Sequence, residues 1–386
     1  IIDEKSRLIP EQKLESNFPK TYRYLSEFES RLRERGSENM EYPAWYALWC
    51  PREKKLFEAQ KLVVPDVCQR SEFTLDRSGG IYLPNSAYGI VPKRRDRRHI
   101  EYLLAVLNST ATWFFIYHTS TVLRGDFRRF MTSYLSPLPV PNASPDTERS
   151  TDPTFEKATQ KQEVPPGEQL SDLAHVALDL HERRSSLNLD LLDYIQPYSS
   201  GPTLTGIGIH QPYEGVGDTK LTATKEDYKN IRVGTVACER EDENTVVIYA
   251  TARYKPDDED AHETDQYGYT ETEPIPAMRF TDLTETEADL VEHFVPVAVD
   301  EAGGFAGFRE TATKTNSLVD RLEAITLPDP DDVADDLERY REAVERAEEL
   351  DEKIQRTDDR IDEIVYDLYG LTDEEIEIVE EAVSGD

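Results

Sequence analysis

Cysteine is scarce: Cys50, Cys68 and Cys238 are the only three in 386 residues, too few and too far apart for a disulfide framework or a zinc pattern. That usage reads as a protein of a reducing cytoplasm. Long apolar runs are missing too. Stretches such as Trp113 to Tyr117 are core-sized, far short of the roughly 18 residues of a membrane span, and no charged-then-apolar leader opens the chain. The histidines (His99, His118, His175, His181, His210, His262 and His293) never fall in a His-x-x-x-His or His-Glu-x-x-His pattern, so no metal site is expected. Gly303-Gly304-Phe305-Ala306-Gly307 lacks the spacing of a dinucleotide fingerprint and reads as a strand turn. Pro328-Asp329 with Asp351 and Lys353 formally matches a Mg²⁺-dependent nuclease, but on one helix those carboxylates would stand about 30 Å apart at roughly 1.5 Å per residue. The chain also lacks both Asn-Pro-Pro-Tyr and Asp-Pro-Pro-Tyr, the tetrapeptides that hold an amine for methylation. No catalytic residue is expected in it.

Positive charge is short overall, yet unevenly so. The chain carries 44 Lys+Arg against 78 Asp+Glu, a formal net charge of −34. Residues 1–145 hold 22 basic against 17 acidic side chains, and residues 146–386 hold the other 22 against 61. So acidic a composition, with Arg above Lys, resembles that of proteins from extreme halophiles, whose carboxylates hold water and counter-ions. A segment that stays basic in such a chain answers to an anionic partner, and DNA or RNA is the first candidate. In near-molar salt the Debye length shrinks to about 3 Å, so direct base contacts would have to supply more of the affinity than in a mesophile.

The length allows two or three domains, with Tyr, Phe and Trp as core anchors. Residues 11–35 read as a helix on the spacing of Leu14, Phe18, Tyr22, Leu25, Phe28 and Leu32, with Pro19 in or breaking its first part. Short β-rich runs follow at 62–64, 73–75 and 80–83, and then a helix from His99 through Tyr117. The polar stretch to residue 168 has no periodic apolar set and reads as a linker. A second helix spans 169–195. Strand-like runs fill 203–310, among them 231–236 and 245–249, interrupted by the acidic loop Asp257 to Asp265. A long helix runs from 331 to Tyr369. Its apolar positions, Val333, Leu337, Tyr340, Val344, Ala347, Leu350, Ile354, Thr357, Ile361, Ile364 and Leu368, form a coiled-coil seam with a stammer that calls for a partner helix. Leu-Pro-x-Pro recurs at Leu138–Pro141 and Leu327–Pro330, each time after a β-rich segment and before a helix, as in a loose two-fold repeat.

The expected class is α+β. It comprises a small mixed α/β domain (1–141), a linker (142–168), a helical spacer (169–199), an acidic β-rich domain (200–326), and a coiled-coil helix with its tail (327–386). Three basic features lie in the first domain: Lys93-Arg94-Arg95-Asp96-Arg97-Arg98, the segment Arg124-Gly125-Asp126-Phe127-Arg128-Arg129-Phe130, and Arg31, Arg33 and Arg35. Arginine suits nucleic acid because its fork donates two parallel bonds to phosphate or to guanine O6 and N7. A solvated face or carboxylate pairing is the plainer reading of each. Trp113, Tyr117, Phe127, Phe130 and Tyr134 interleave with these charges and either stack on bases or anchor the core, as do Trp45, Tyr46 and Trp49.

One set of segments resembles a known family. It consists of Phe18-Pro19-Lys20-Thr21-Tyr22-Arg23-Tyr24-Leu25, Trp45-Tyr46, Lys61-Leu62-Val63-Val64-Pro65, residues 102–109, residues 124–130 and residues 134–141. In order and spacing these are similar to the TaqI-like C-terminal specificity domain of adenine-N6 DNA methyltransferases, including type IIG restriction-modification enzymes and BREX methylases. The ending Ile361 to Thr372 is similar to the tail of these enzymes. The resemblance implies a role in phage defence, double-stranded DNA as partner, and a catalytic domain or subunit that binds S-adenosylmethionine and precedes residue 1; a chain that opens on Ile1 fits such a C-terminal piece. No cofactor is expected in this chain. Lys93, Arg94, Arg95, Arg97 and Arg98 would clamp phosphates. Asn108, Ser109, Arg124, Gly125, Arg128 and Arg129 would shape the DNA-facing edge, although a helix cap and a tight turn account for Asn108, Ser109 and Gly125 equally well. The alternatives are a separate specificity subunit and a non-catalytic coiled-coil assembly module.

Overall fold

The computed structural model describes residues 3, 7–36, 41–47, 53–145, 152–161, 163–228, 230–256, 262–300 and 312–383. Trp49, Cys50, the Gly303–Gly307 run and residues 257–261 of the acidic loop lie outside them. The chain divides into two units, residues 1–184 with 350–386, and residues 185–349. The class is mixed α+β, with several small antiparallel sheets and one long helix near the C-terminus.

In the first unit the segment expected as a single helix at 11–35 is three: α1 Glu11–Asn17, α2 Pro19–Ser26 and α3 Glu29–Arg33. Pro19 lacks the N–H that a continuous helix would need and instead opens α2, where that donor is not used. Leu14, Trp45 and Tyr46 form the small core beneath them, and Glu11 accepts from Trp45 Nε1 (2.8 Å) and Tyr22 Oη (3.1 Å).

After α4 (Lys54–Phe57), β1 Lys61–Pro65 is the centre of a three-stranded antiparallel sheet. Next come β2 Val67–Cys68, β3 Thr74–Asp76 and β4 Ala87–Ile90, with β3 and β4 flanking β1. Leu62, Val63 and Val64 are all buried, as expected where both faces of a central strand are covered. Residues 80–83, read as a strand, are a loop instead. The Asp76 carboxylate accepts from the backbone of Gly79 (2.9 Å) and Ile81 (3.1 Å), and Gly79 takes a positive φ where a Cβ would strike the Glu58 carbonyl. Those backbone donors are therefore directed at a side chain and not at a ladder.

The helix expected at 99–117 is two, α5 Arg97–Asn108 and α6 Thr110–Thr119. Ser109 breaks it by capping α6, its hydroxyl accepting from Thr112 N. Trp113 and Phe130 stack in parallel at 6.2 Å in the core between α6 and the sheet, so they are anchors of this unit. The strand β5 Arg128–Arg129 pairs with β2, and α7 Thr132–Leu135 follows it. The first Leu-Pro-x-Pro thus follows a helical turn and not a strand, and the two copies of the repeat differ. Within the expected linker, α8 spans Phe155–Thr159, and α9 runs Pro166–Ser186. Gly167 is required there because a Cβ would overlap the Ala143 carbonyl oxygen.

The second unit opens with α10 Leu191–Ile195, separate from α9 although one helix was expected over 169–195. Its strands are β6 Ser200–Thr203, β7 Ile209–Pro212, β8 Arg232–Asp242, β9 Thr245–Tyr254, β10 Thr270–Glu271 and β11 Ile275–Thr281. β9 pairs antiparallel with β8, β10 and β11, and β11 pairs on to β7. Helical segments unmarked by the sequence pattern follow: α11 Glu285–Asp289, a π-helical turn over Leu290–Phe294, and α12 Val295–Asp300. They bury Leu290, Val291, Phe294, Val295 and Ala298 in one core with Val246, Ile248, Met278 and Phe280 of the sheet. After α13 Leu318–Glu323, β12 Thr326–Pro328 pairs with β6.

The helix α14, Pro330–Tyr369, starts in the second unit and ends in the first. Of the seam, Val333 and Leu337 belong to the second unit's core, and Ile361 and Ile364 are buried within the first. The tail helix α15, Asp373–Val383, lies against α6.

Candidate nucleic-acid interface

The turn between β4 and α5 carries the longest basic run. Asp96 closes it by capping α5, its carboxylate accepting from His99 N at 3.1 Å. Hydrogen bonds from His99 and Arg94 outweigh burial there and hold that carboxyl below its ordinary range. The five cations are not equivalent. Arg98 is buried and donates to Asp172 (3.0 Å) and the Glu168 carbonyl (3.1 Å). Arg97, half exposed, donates at 2.8 Å to Glu101, a carboxylate fully buried in the unit. Arg94 pairs with Asp96. Lys93 and Arg95 are exposed, and among the described residues nothing pairs with either.

The second basic segment is a β-hairpin. Val122 bridges Arg128, and Leu123 N donates to Phe127 O at 2.8 Å, which closes the turn Arg124-Gly125-Asp126. Gly125 and Asp126 both take positive φ (77° and 56°), two left-handed residues in succession that reverse the chain sharply. The foot of the hairpin is braced on several sides. The Arg128 guanidinium is buried, lies 4.0 Å over the Tyr117 ring, and donates to the carbonyls of Tyr117 and Asp126 (both 3.1 Å). Arg129 forks onto Asp66, and Ser120 exchanges hydrogen bonds with the Arg129 backbone. Gln69 Nε2 donates to the Gly125 carbonyl at 3.0 Å. Arg124, at the tip, is exposed and unpaired among the described residues.

Asn108 and Ser109 sit at the junction of α5 and α6. The Asn108 amide works as a peptide mimic, accepting from Phe73 N (2.8 Å) and donating to Phe73 O (2.9 Å), so it docks the chain leading into β3. Ser109 is buried as the cap of α6. The Asp362 carboxylate of α14 accepts from Thr110 N at 2.7 Å and from the Thr110 hydroxyl. Burial pushes the Asp362 carboxyl up to about 6, helped by Asp359 and Glu380 and opposed by the Thr110 hydrogen bonds.

Sequence reasoning passed over several residues that define this surface. Arg77, exposed after β3, shares a cavity of about 240 Å³ with Arg97, Gln60 and Leu75. Asp126 stands at the hairpin tip with its side chain 79% exposed. Asp66 fixes Arg129, and the signal for such a pairing, one carboxylate between two short strands, is too weak to pick out from sequence. A larger cavity of about 700 Å³, lined by Phe57, Lys61, Leu83, Tyr88 and Gly89, opens beside β1 and β4. Burial raises the thiols of Cys68 (to about 12) and Cys238, which leaves both as weak nucleophiles.

Among the described residues one group, Asp289, Glu292 and His293, brings its ligand atoms within 4.8 Å of one another. Its charge is already met, since Arg240 pairs with Asp289 (2.6 Å) and Glu292 (3.2 Å), and Arg341 approaches Asp289 at 3.4 Å. No helix among the described residues is long and apolar enough to cross a membrane.

Two comparisons with known proteins bear on this surface. Residues 18–140 match the family model of the TaqI-like C-terminal specificity domain, the segment from α2 through the basic turn and the hairpin. The type II methyltransferase M.BstVI of Geobacillus stearothermophilus is 25% identical over 126 residues, which cover 33% of this chain and 22% of that protein. The match therefore spans about a fifth of the relative's length. The family resemblance read from the residues holds for this segment.

Proposed function

We propose that this chain, with its TaqI-like specificity domain as the reader, is the DNA-recognition portion of a site-specific adenine-N6 methyltransferase or restriction-modification enzyme. The observation that carries the reading is the coincidence of the family match, 18–140, with the basic part of an otherwise strongly acidic chain. S-adenosylmethionine and the amine-binding tetrapeptide would belong to a catalytic domain, in the same polypeptide or on a separate subunit. That domain would act on an adenine flipped from the duplex while this chain holds the flanking sequence. Restriction of phage DNA is the setting in which such an enzyme works.

The division of the arginines refines the interface. Among the described residues Lys93, Arg95 and Arg124 have unpaired donors to offer DNA, whereas Arg97, Arg98, Arg128 and Arg129 hold the domain that presents them. Alanine at Arg97 or Arg98 would strip partners from Glu101 and Asp172 and disturb the fold, so those residues make poor probes of binding. Replacing Lys93 and Arg95 together by Ala is expected to weaken binding to all duplexes alike. The slope of log K against log salt should flatten by about 2, at roughly 0.9 for each phosphate no longer neutralised. Fluorescence anisotropy of labelled duplexes across a salt series measures both quantities. Unchanged affinity and slope would remove these two residues from the interface.

A further inference from the structure

We propose that the hairpin tip Arg124-Gly125-Asp126 enters the major groove and reads a G·C base pair, with Arg124 donating to guanine and Asp126 accepting from the paired cytosine. The proposal rests on the DNA-binding reading above and deepens it by naming what this one element contacts.

Three observations separate the tip from a phosphate contact. The first is charge. Asp126 is 79% exposed on the same turn as Arg124, and one of its carboxylate oxygens makes a long ion pair, 3.8 Å, with Arg128 in the hairpin foot, which leaves the exposed side of the carboxylate open. A carboxylate there is repelled by a phosphate backbone, so a turn built to grip phosphate would not carry one. A base-pair edge is different: guanine offers the acceptors O6 and N7, and cytosine offers the N4 amino donor. One fork of donors and one acceptor, a residue apart across Gly125, match that edge.

The second is rigidity. Phosphate attraction needs charge but little geometry, whereas bidentate recognition of a base needs a placed fork. The tip is placed. Val122 and Arg128 form a single β-bridge at its base, Gln69 holds the Gly125 carbonyl, the Arg128 guanidinium holds the Asp126 carbonyl, and the Arg129–Asp66 pair fixes the foot. A narrow projecting hairpin can enter the major groove, which admits two strands side by side. The third is the neighbour: Val122 is 60% exposed beside the turn, an apolar group suited to a thymine methyl at a flanking pair and of no use to a phosphate.

The test is selection of binding sites from a pool of randomised duplexes, run in parallel on the unaltered chain and on Arg124→Ala, Asp126→Asn and the Lys93→Ala/Arg95→Ala pair. The unaltered chain is expected to enrich a motif. Arg124→Ala should lose the preference at one G·C position, by about 5- to 150-fold, while its affinity for unselected duplex stays within about twofold. Asp126→Asn should relax the same position. The Lys93/Arg95 pair should lower affinity with the motif intact. As an atomic check, 7-deazaguanine at that position should weaken the unaltered chain and leave Arg124→Ala unaffected. If Arg124→Ala lowers affinity for every duplex equally and leaves the motif whole, Arg124 is a phosphate contact and this inference falls while the DNA-binding reading stands. A change confined to an A·T position overturns it likewise. If the unaltered chain retains no duplex, both readings fall together.

Discussion

Lys61 and Asp76 show how single residues set the frame that the interface depends on. They are ladder partners on β1 and β3, 1% and 3% exposed, and the ammonium also donates to the Phe57 carbonyl. Burial pushes the Asp76 carboxyl upward. The hydrogen bonds from Lys61, Ile81 and Ser78 and the Lys61 charge outweigh it and hold the group at about 2. A folded-state value below the unfolded value of about 3.9 contributes stability that is present above pH 4 and lost as pH falls through about 4 to 2. Asp76→Asn leaves a buried ammonium without its counter-charge. It should lose about 3–5 kcal/mol near neutral pH. The gap to the unaltered protein should narrow as pH falls from about 4 to about 2, as urea melts across a pH series would record. A gap that does not vary with pH would mean that the carboxylate's charge contributes nothing.

Among elements, the contact of α14 with the start of α6 has the opposite sign. Asp362 accepts from the Thr110 backbone and hydroxyl, yet burial leaves its carboxyl at about 6, above the unfolded value. The native state therefore binds this proton more tightly than the unfolded chain does. Its contribution favours folding at low pH and is lost as pH rises from about 4 to about 6. Asp362→Asn keeps an acceptor for Thr110 without the charge. The unaltered chain should gain thermal stability relative to this variant as pH is lowered from 7 to 4; a constant difference in melting temperature across that range would contradict the assignment.

At this scale it is also clear which parts of the fold were legible. The 40 residues of α14 kept three- and four-residue apolar steps, and β1 and β9 kept the apolar runs of covered strands. The segment 285–300 was not legible as helix. Its run of Leu290, Val291, Phe294, Val295, Val297 and Val299 is rich in β-branched valine and interrupted by Pro296, and only packing on the sheet selects a helix there. Residues 80–83 looked like a strand because their own composition says so, while the Asp76 carboxylate that captures their backbone lies outside the window.

For the molecule as a whole, the sequence placed positive charge correctly in the first part of the chain but did not say which cations face outward. Arg95 and Arg98, or Arg124 and Arg128, are identical in type and nearly adjacent. What separates them is a partner far along the chain, Asp172 for Arg98, or an aromatic on a neighbouring helix, Tyr117 for Arg128. Tertiary structure thus divides one basic composition into a presenting scaffold and a small exposed set. The acidic unit, 185–349, contributes a closed core and a charge network in which Arg240 and Arg341 are held by Asp289, Glu292 and Glu285. It is expected to stay off the DNA. Hydrogen exchange of the full chain with and without duplex DNA of mixed sequence tests the central claim most directly. The account predicts slowed exchange at residues 91–96 and 120–130 and none across 232–254; protection confined to residues 185–349, or no protection anywhere, would contradict it.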